Sequence, residues 1–301
     1  MPKNNEVHII ECPRDAMQGI QQFIPTQKKI EYLNSLLKIG FDILDFGSFV
    51  SPRAVPQLKD TAEVLEHLDL SNTNTKLLAI VANTIGGEIA AQYEKVSFLG
   101  FPFSISPTFL KQNINSTVAK AFITVNKLHN LSIRKNKELL VYISLAFGNP
   151  YGDKWSIEIV EEWVDVFSKL GIKYIWLADT TGVSDAETIE SLFSLLVPKY
   201  PHIQFGLHLH TNIETWYDKV DAAYKSGCRF FDTVINGIGG CPFSGQEMLG
   251  NLKTSFLLEY IEQLNINHHY DKEAFHSAYV KAMEVFPNFN FRPGLKTKEQ
   301  G

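Results

Sequence analysis

Short apolar runs alternate along this chain with longer stretches whose apolar residues recur at helical spacing. The runs are Val7–Ile10, Ile43–Phe46, Leu77–Val81, Val96–Leu99, Leu139–Ser144, Tyr174–Ala178, Ile203–His208 and Phe230–Ile235. Runs of this length, rich in β-branched and aromatic residues, read as buried strands. The amphipathic stretches between them include Lys28–Lys38, Ser116–Asn130, Ile157–Leu170, Ala186–Leu196 and Thr215–Ser226. Gly40, Gly171 and Gly227 follow such stretches, where a residue tolerant of positive φ ends a helix. The unit helix, glycine, strand recurs as Lys38-Ile39-Gly40-Phe41-Asp42-Ile43, Lys169-Leu170-Gly171-Ile172-Lys173-Tyr174 and Lys225-Ser226-Gly227-Cys228-Arg229-Phe230.

Strands alternating in this way with helices predict an α/β fold, a closed parallel (β/α)8 TIM barrel. The alternative is an open doubly wound sheet, which usually carries a glycine-rich fingerprint after its first strand. Here that position reads Glu11-Cys12-Pro13-Arg14-Asp15. The barrel is expected over about 7–240. A loop and capping helices follow over about 241–287, the helices being Glu247–Leu264 and Lys272–Val285, and then a mobile tail, 288–301. No linker rich in Gly, Ser or Pro divides the chain, so its 301 residues are expected to form a single catalytic domain.

Composition narrows the function classes. The net charge is −5 and no long basic run exists, which argues against a nucleic-acid surface. No stretch of about 18 apolar residues is present to span a membrane, and the polar start of the chain lacks the apolar run of a signal peptide. Cys12, Cys228 and Cys241 cannot all pair with one another and lack the spacing of a structural zinc site, which fits a reducing cytoplasm.

In a barrel of this kind the active site lies at the C-terminal ends of the strands. Arg14 and Asp15 follow the first strand, Asp45 lies near the end of the second and Asp179 follows the sixth. His208 and His210 end the seventh, and a glycine-rich loop follows the eighth. Strand side chains alternate faces, so His208 and His210 point the same way. Asp15, His208, His210 and Asn251 together offer oxygen and imidazole ligands, a mixed set that suits Mg²⁺ or Mn²⁺. More ordinary roles compete: a hydrogen-bonded core histidine, a helix cap at Asn251, a rim salt bridge at Arg14, caps or turns at Asp45 and Asp179, and an idle loop thiol at Cys241.

The ordered motifs carry a resemblance. Pro13-Arg14-Asp15-Ala16-Met17-Gln18, Ser48-Phe49-Val50-Ser51-Pro52, Gly148-Asn149-Pro150-Tyr151, Asp179-Thr180-Thr181-Gly182, His208-Leu209-His210, and Gly239-Gly240-Cys241-Pro242 through Gly250-Asn251 resemble hydroxymethylglutaryl-CoA lyases. These belong to a metal-dependent aldol/Claisen-type barrel superfamily that also contains isopropylmalate and homocitrate synthases. The resemblance implies that Asp15, His208, His210 and Asn251 hold the divalent ion. It implies that Arg14 neutralises an enolate, that Cys241 takes part in proton transfer, and that Asp45 and Asp179 belong to the catalytic set. Gln18 and Asn113 would help to bind the CoA thioester, a substrate rather than a resident cofactor. The implied reaction cleaves 3-hydroxy-3-methylglutaryl-CoA to acetyl-CoA and acetoacetate, as in leucine breakdown, and the implied assembly is a homodimer.

The chain departs from the family pattern in places. The family's Asn-Glu after Gln18 is Gly19-Ile20, Asp45 stands where the family has glutamate, and Ile10 stands where a strand-one glutamate is expected, with Glu11 beside it. Asn149 and Thr211 occupy places where the family has cysteine and aspartate, and in the segments Phe103–Phe109 and Lys111–Asn113, where the family contacts CoA, Pro107 replaces an acidic residue. Two other readings therefore stand: a related enzyme, either a lyase for another 3-hydroxyacyl-CoA or a synthase condensing acetyl-CoA with a 2-oxo acid, and a non-catalytic metal- or CoA-binding barrel.

Overall fold

The computed structural model describes residues 6–239 and 249–286. Its elements run in the order β1 (His8–Glu11), α1 (Pro13–Gln18), α2 (Thr26–Leu37), β2 (Ile43–Ser48), α3 (Thr61–Glu66), β3 (Lys76–Ile80), α4 (Thr84–Ala90), β4 (Val96–Ser104), α5 (Pro107–Ile114), α6 (Val118–Arg134), β5 (Glu138–Ser144), α7 (Ile157–Leu170), β6 (Tyr174–Asp179), α8 (Ala186–Lys199), β7 (Gln204–Thr211), α9 (Trp216–Lys225), β8 (Phe230–Thr233), β9 (Gly250–Asn251), α10 (Thr254–Gln263) and α11 (Lys272–Val285). Strands β1 to β8 pair in parallel with their sequence neighbours, and β8 pairs back onto β1, which closes the barrel. This is the predicted (β/α)8 architecture. No helix among the described residues is long and apolar enough to cross a membrane.

Each strand buries both faces, one against the barrel interior and one against the helices, so the strands read as near-continuous apolar runs. The helices bury one stripe: α7 turns Val160, Val164 and Phe167 inward. Gly171 caps that helix at φ 86°, and Gly40 and Gly227 take up positive φ just beyond the ends of α2 and α9. In the barrel interior Trp176 fills the space that Gly206 leaves open. A Cβ on Gly206 would sit 2.4 Å from the indole ring.

Three expectations shift. The fourth strand runs to Ser104, beyond the predicted Leu99, and so supplies part of the segment expected to meet CoA. The seventh extends to Thr211, which brings His210 into the sheet. The helix expected from Glu247 begins only at Thr254, because Gly250 and Asn251 pair antiparallel with Thr211 and His210 as a short strand. Backbone hydrogen bonds to β7 outweigh the helical pattern there. The tail 288–301 lies outside the described residues.

Candidate active site

The cleft lies at the C-terminal end of the barrel. Its volume is about 180 Å³, and among its lining residues are Arg14, Asp15, Gln18, Asn113, Tyr142, His208 and His210. A larger cavity, about 830 Å³, opens at the N-terminal end beside His8, Asp42 and Lys76, and holds none of the converging groups.

Arg14 and Asp15 sit in α1, whose Pro13 starts the helix immediately after β1. Five N–H donors make up the guanidinium fork. Arg14 Nε donates to Asp45 Oδ2 at 2.9 Å and Nη2 to the same oxygen at 2.7 Å. Nη1 donates to Asp15 Oδ1 at 3.1 Å and to Gln18 Oε1 at 2.8 Å. Four of the five hydrogens are thereby placed, and one on Nη2 remains. Burial opposes the charge on Arg14, but Asp45 and Asp15 outweigh it and keep the guanidinium permanently charged. Burial pushes Asp45 up to about 6 against the pull of Arg14, so Asp45 is ionised at neutral pH.

Asp15 is the meeting point. Its Oδ1 also accepts from Gln18 Nε2 at 2.8 Å, and its Oδ2 from Asn251 Nδ2 at 2.7 Å. Burial would raise its pKa, yet Arg14, His208 and His210 hold the carboxyl below its usual range. The second amide hydrogen of Asn251 goes to the Ile238 carbonyl at 2.9 Å, so Asn251 has its amide oxygen to offer a cation. Asn251 is thus a strand residue bound to the site rather than a helix cap.

His208 and His210 face each other, with Nε2 atoms 3.2 Å apart. Behind them, His208 Nδ1 lies 2.9 Å from Asp232 Oδ2, and Trp176 Nε1 donates to Asp232 Oδ1 at 2.7 Å. A proton held on Nδ1 by that carboxylate leaves Nε2 of His208 as a lone pair. Burial lowers His208, but Asp232 outweighs it and raises the ring, whereas burial beside His208 pushes His210 down to about 4. His210 is neutral at pH 7.

The donor atoms of Asp15, His208 and His210 lie within 4.8 Å of one another. Two ligands at about 2.1 Å from one ion and at right angles stand about 3.0 Å apart, close to the 3.2 Å between the two imidazole nitrogens. One carboxylate and two imidazoles therefore fit a divalent ion in both chemistry and spacing, and the Asn251 amide oxygen is a ligand of suitable chemistry beside them.

Asp179 does not join this group. It follows Ala178, which faces the cleft, and so points between barrel and helices. There it accepts from the Ser184 amide and hydroxyl and lies 3.5 Å from Lys219 Nζ. These contacts tie the loop after β6 to α9, and the structure does not bring Asp179 to the converging groups. Gln18 is held between Arg14 and Asp15, and Asn113, at the end of α5, lines the cleft half-buried. Cys241 lies outside the described residues. Sequence reading passed over Asp232, although an acid within the apolar run Phe230-Phe231-Asp232 is itself a signal, and in-register pairing sets it beside His208.

Comparison with known proteins agrees with this arrangement. The HMGL-like family model matches residues 7–280. Hydroxymethylglutaryl-CoA lyase YngG of Bacillus subtilis is 30% identical over 270 residues, covering 88% of each chain. The (R)-citramalyl-CoA lyase of Chloroflexus aurantiacus is 29% identical over 265 residues, covering 85% of this chain and 83% of its own. Among solved structures, an HMG-CoA lyase from Acinetobacter baumannii in complex with coenzyme A and 3-methylmalate superposes with a TM-score of 0.89 at 27% identity, covering 100% and 99% of the two chains. With barrel, converging residues and sequence match in agreement over nearly the whole length, the chain belongs to the HMGL-like family.

Proposed function

We propose that this chain is a divalent-metal-dependent carbon–carbon lyase that cleaves 3-hydroxy-3-methylglutaryl-CoA to acetyl-CoA and acetoacetate. The observation that carries the reading is the convergence of Asp15, His208 and His210 beside a buried Arg14 at the C-terminal mouth of the barrel. Asp15, His208, His210 and Asn251 would hold Mg²⁺ or Mn²⁺, and the ion would supply positive charge that acidifies the tertiary hydroxyl and polarises the thioester carbonyl.

The chain's own residues then divide the work. The hydroxyl proton leaves to a base near Asp15 or His208, both of which face the cleft. The C2–C3 bond breaks, C3 becomes the ketone carbon of acetoacetate, and the electron pair passes through C2 to the thioester oxygen as an enolate. Arg14, fixed by Asp45, Asp15 and Gln18, has one Nη2 hydrogen left to aim at that oxygen. Preorganised donors of this kind typically contribute ~3–4 kcal/mol in the transition state. Protonation of C2 completes the reaction, with Cys241 as the proposed participant.

The citramalyl-CoA lyase relative supports a second reading, the same bond cleavage on another 3-hydroxyacyl-CoA. A homodimer, a cytoplasmic home and a place in leucine breakdown complete the proposal. The test is to incubate metal-stripped protein with 3-hydroxy-3-methylglutaryl-CoA, with and without Mg²⁺, and to assay acetoacetate. Mg²⁺-dependent acetoacetate is the expected result. Turnover of citramalyl-CoA alone would move the substrate to the second reading, and turnover of neither would refute the assignment.

A further inference from the structure

Helix α5 opens with Pro107 after its cap Ser106, whose hydroxyl accepts from the Phe109 amide at 3.1 Å, and its first turn holds no acid. A carboxylate reaches that turn from the loop after β5. Asp153 Oδ2 accepts from the Ser106 hydroxyl and, at 3.1 Å, from the Thr108 amide, while Oδ1 accepts from the Thr108 hydroxyl at 3.0 Å. Burial would raise its pKa, but these bonds hold the carboxyl below its usual range. A full negative charge therefore meets the positive end of the helix. Asn149 sets Asp153 in place. Its Oδ1 accepts from the amides of Tyr151 and Asp153, each at 3.0 Å, and its Nδ2 donates to the Asp153 carbonyl at 2.9 Å.

The last turn of α5 reaches the cleft, where Asn113 and Ile114 line the wall. Of the helix only Phe109 and Leu110 are buried, so apolar packing alone holds it weakly. We infer that Asp153 is a positioning residue that fixes α5, and with it Asn113, at the mouth where the CoA moiety of the substrate lies. The inference rests on the acyl-CoA reading above. A cleft of about 180 Å³ admits an acyl chain but not coenzyme A, so the CoA moiety stays at the mouth. Pro107 leaves the start of α5 without an acid of its own, and Asp153 supplies that charge from the neighbouring loop. The Asp153 carboxylate binds Ser106 and Thr108, and its backbone binds Asn149, none of which belongs to the metal-binding set. Its effect should fall on the hold on CoA and leave the ion alone.

The test is calorimetric titration of the Mg²⁺-loaded protein with coenzyme A, which does not depend on the identity of the acyl group, beside kcat and KM for 3-hydroxy-3-methylglutaryl-CoA. Asp153→Ala should weaken coenzyme A binding and raise KM by roughly tenfold, the range of a lost helix cap. Its kcat should stay within about twofold, the sign of binding lost equally from ground and transition states. Its affinity for Mn²⁺ should not change. Asp153→Asn keeps an oxygen for Ser106 and the Thr108 amide but loses the charge, and should fall between wild type and the alanine variant. Unchanged coenzyme A affinity in Asp153→Ala would overturn the inference. So would a fall in kcat and Mn²⁺ affinity alongside it, which would make the carboxylate a general support of the fold. Wild-type protein that does not bind coenzyme A would overturn the acyl-CoA reading and this inference with it.

Discussion

Replacing Glu11 by glutamine should stabilise the protein at neutral and alkaline pH. Glu11 is fully buried at the end of β1, and its Oε1 accepts from the Ile235 amide at 2.7 Å. Its Oε2 lies 2.6 Å from Thr254 Oγ1 and 3.1 Å from Thr233 Oγ1. The residue therefore fastens β1 to the end of β8 and to the start of α10, just beyond the strand that carries Asn251. Burial raises its pKa from 4.5 to about 8, against the lowering effect of the three hydrogen bonds. Between these values the folded protein keeps a proton that the unfolded chain has released. Its contribution is complete below pH 4.5, falls as pH rises, and is fully lost above pH 8. At ~1.4 kcal/mol per pH unit the whole window amounts to ~5 kcal/mol, of which ~3 kcal/mol is gone by pH 7. Glutamine fits the same cage: Oε1 accepts from Ile235, and Nε2 donates to the two threonine hydroxyls. It does not titrate. The assay is urea unfolding of both proteins from pH 5 to 9. With a slope of ~3 kcal/mol per M, the wild-type midpoint should fall by ~1 M relative to Glu11→Gln between pH 5 and pH 7. Parallel midpoints, or a wild type that gains on the variant as pH rises, would refute the reasoning.

Two further outcomes follow from the site and the barrel interior. Asp232→Asn should weaken Mg²⁺ or Mn²⁺ binding by ~10- to 100-fold, because the carboxylate that holds the proton on His208 Nδ1 is lost. Calorimetric metal titration checks this, and unchanged affinity would show that Asp232 does not position the ring. Gly206→Ala places a Cβ 2.4 Å from the Trp176 indole and should cost ~1–3 kcal/mol of stability, read as a lower melting temperature.

Much of this was legible in the sequence, because the barrel writes itself as a periodic pattern. Buried parallel strands are apolar on both faces, and glycine marks the helix ends, so β2, β5, β6 and α7 were found nearly to the residue. Spacing alone placed His208 and His210 on one face. What escaped is set by contacts distant in sequence. Asn251 joins the site through pairing with His210, and the helical pattern around it carried no sign of that strand. Asp179 was placed in the site by its motif, although strand alternation from His208 through Ala178 turns it away. Trp176 falls inside the apolar run Tyr174–Ala178, and whether its indole N–H finds a partner depends on a strand that lies apart in the chain.

The central claim is that one divalent ion, held by Asp15, His208, His210 and Asn251, is needed for cleavage. Its most direct measurement is to titrate metal-stripped protein with Mn²⁺ while following acetoacetate release from 3-hydroxy-3-methylglutaryl-CoA, with His208→Ala in parallel. Activity should rise from none to a plateau as a single site fills, and His208→Ala should neither bind the ion tightly nor release product. Full activity in the metal-stripped protein, or in His208→Ala, would contradict the account.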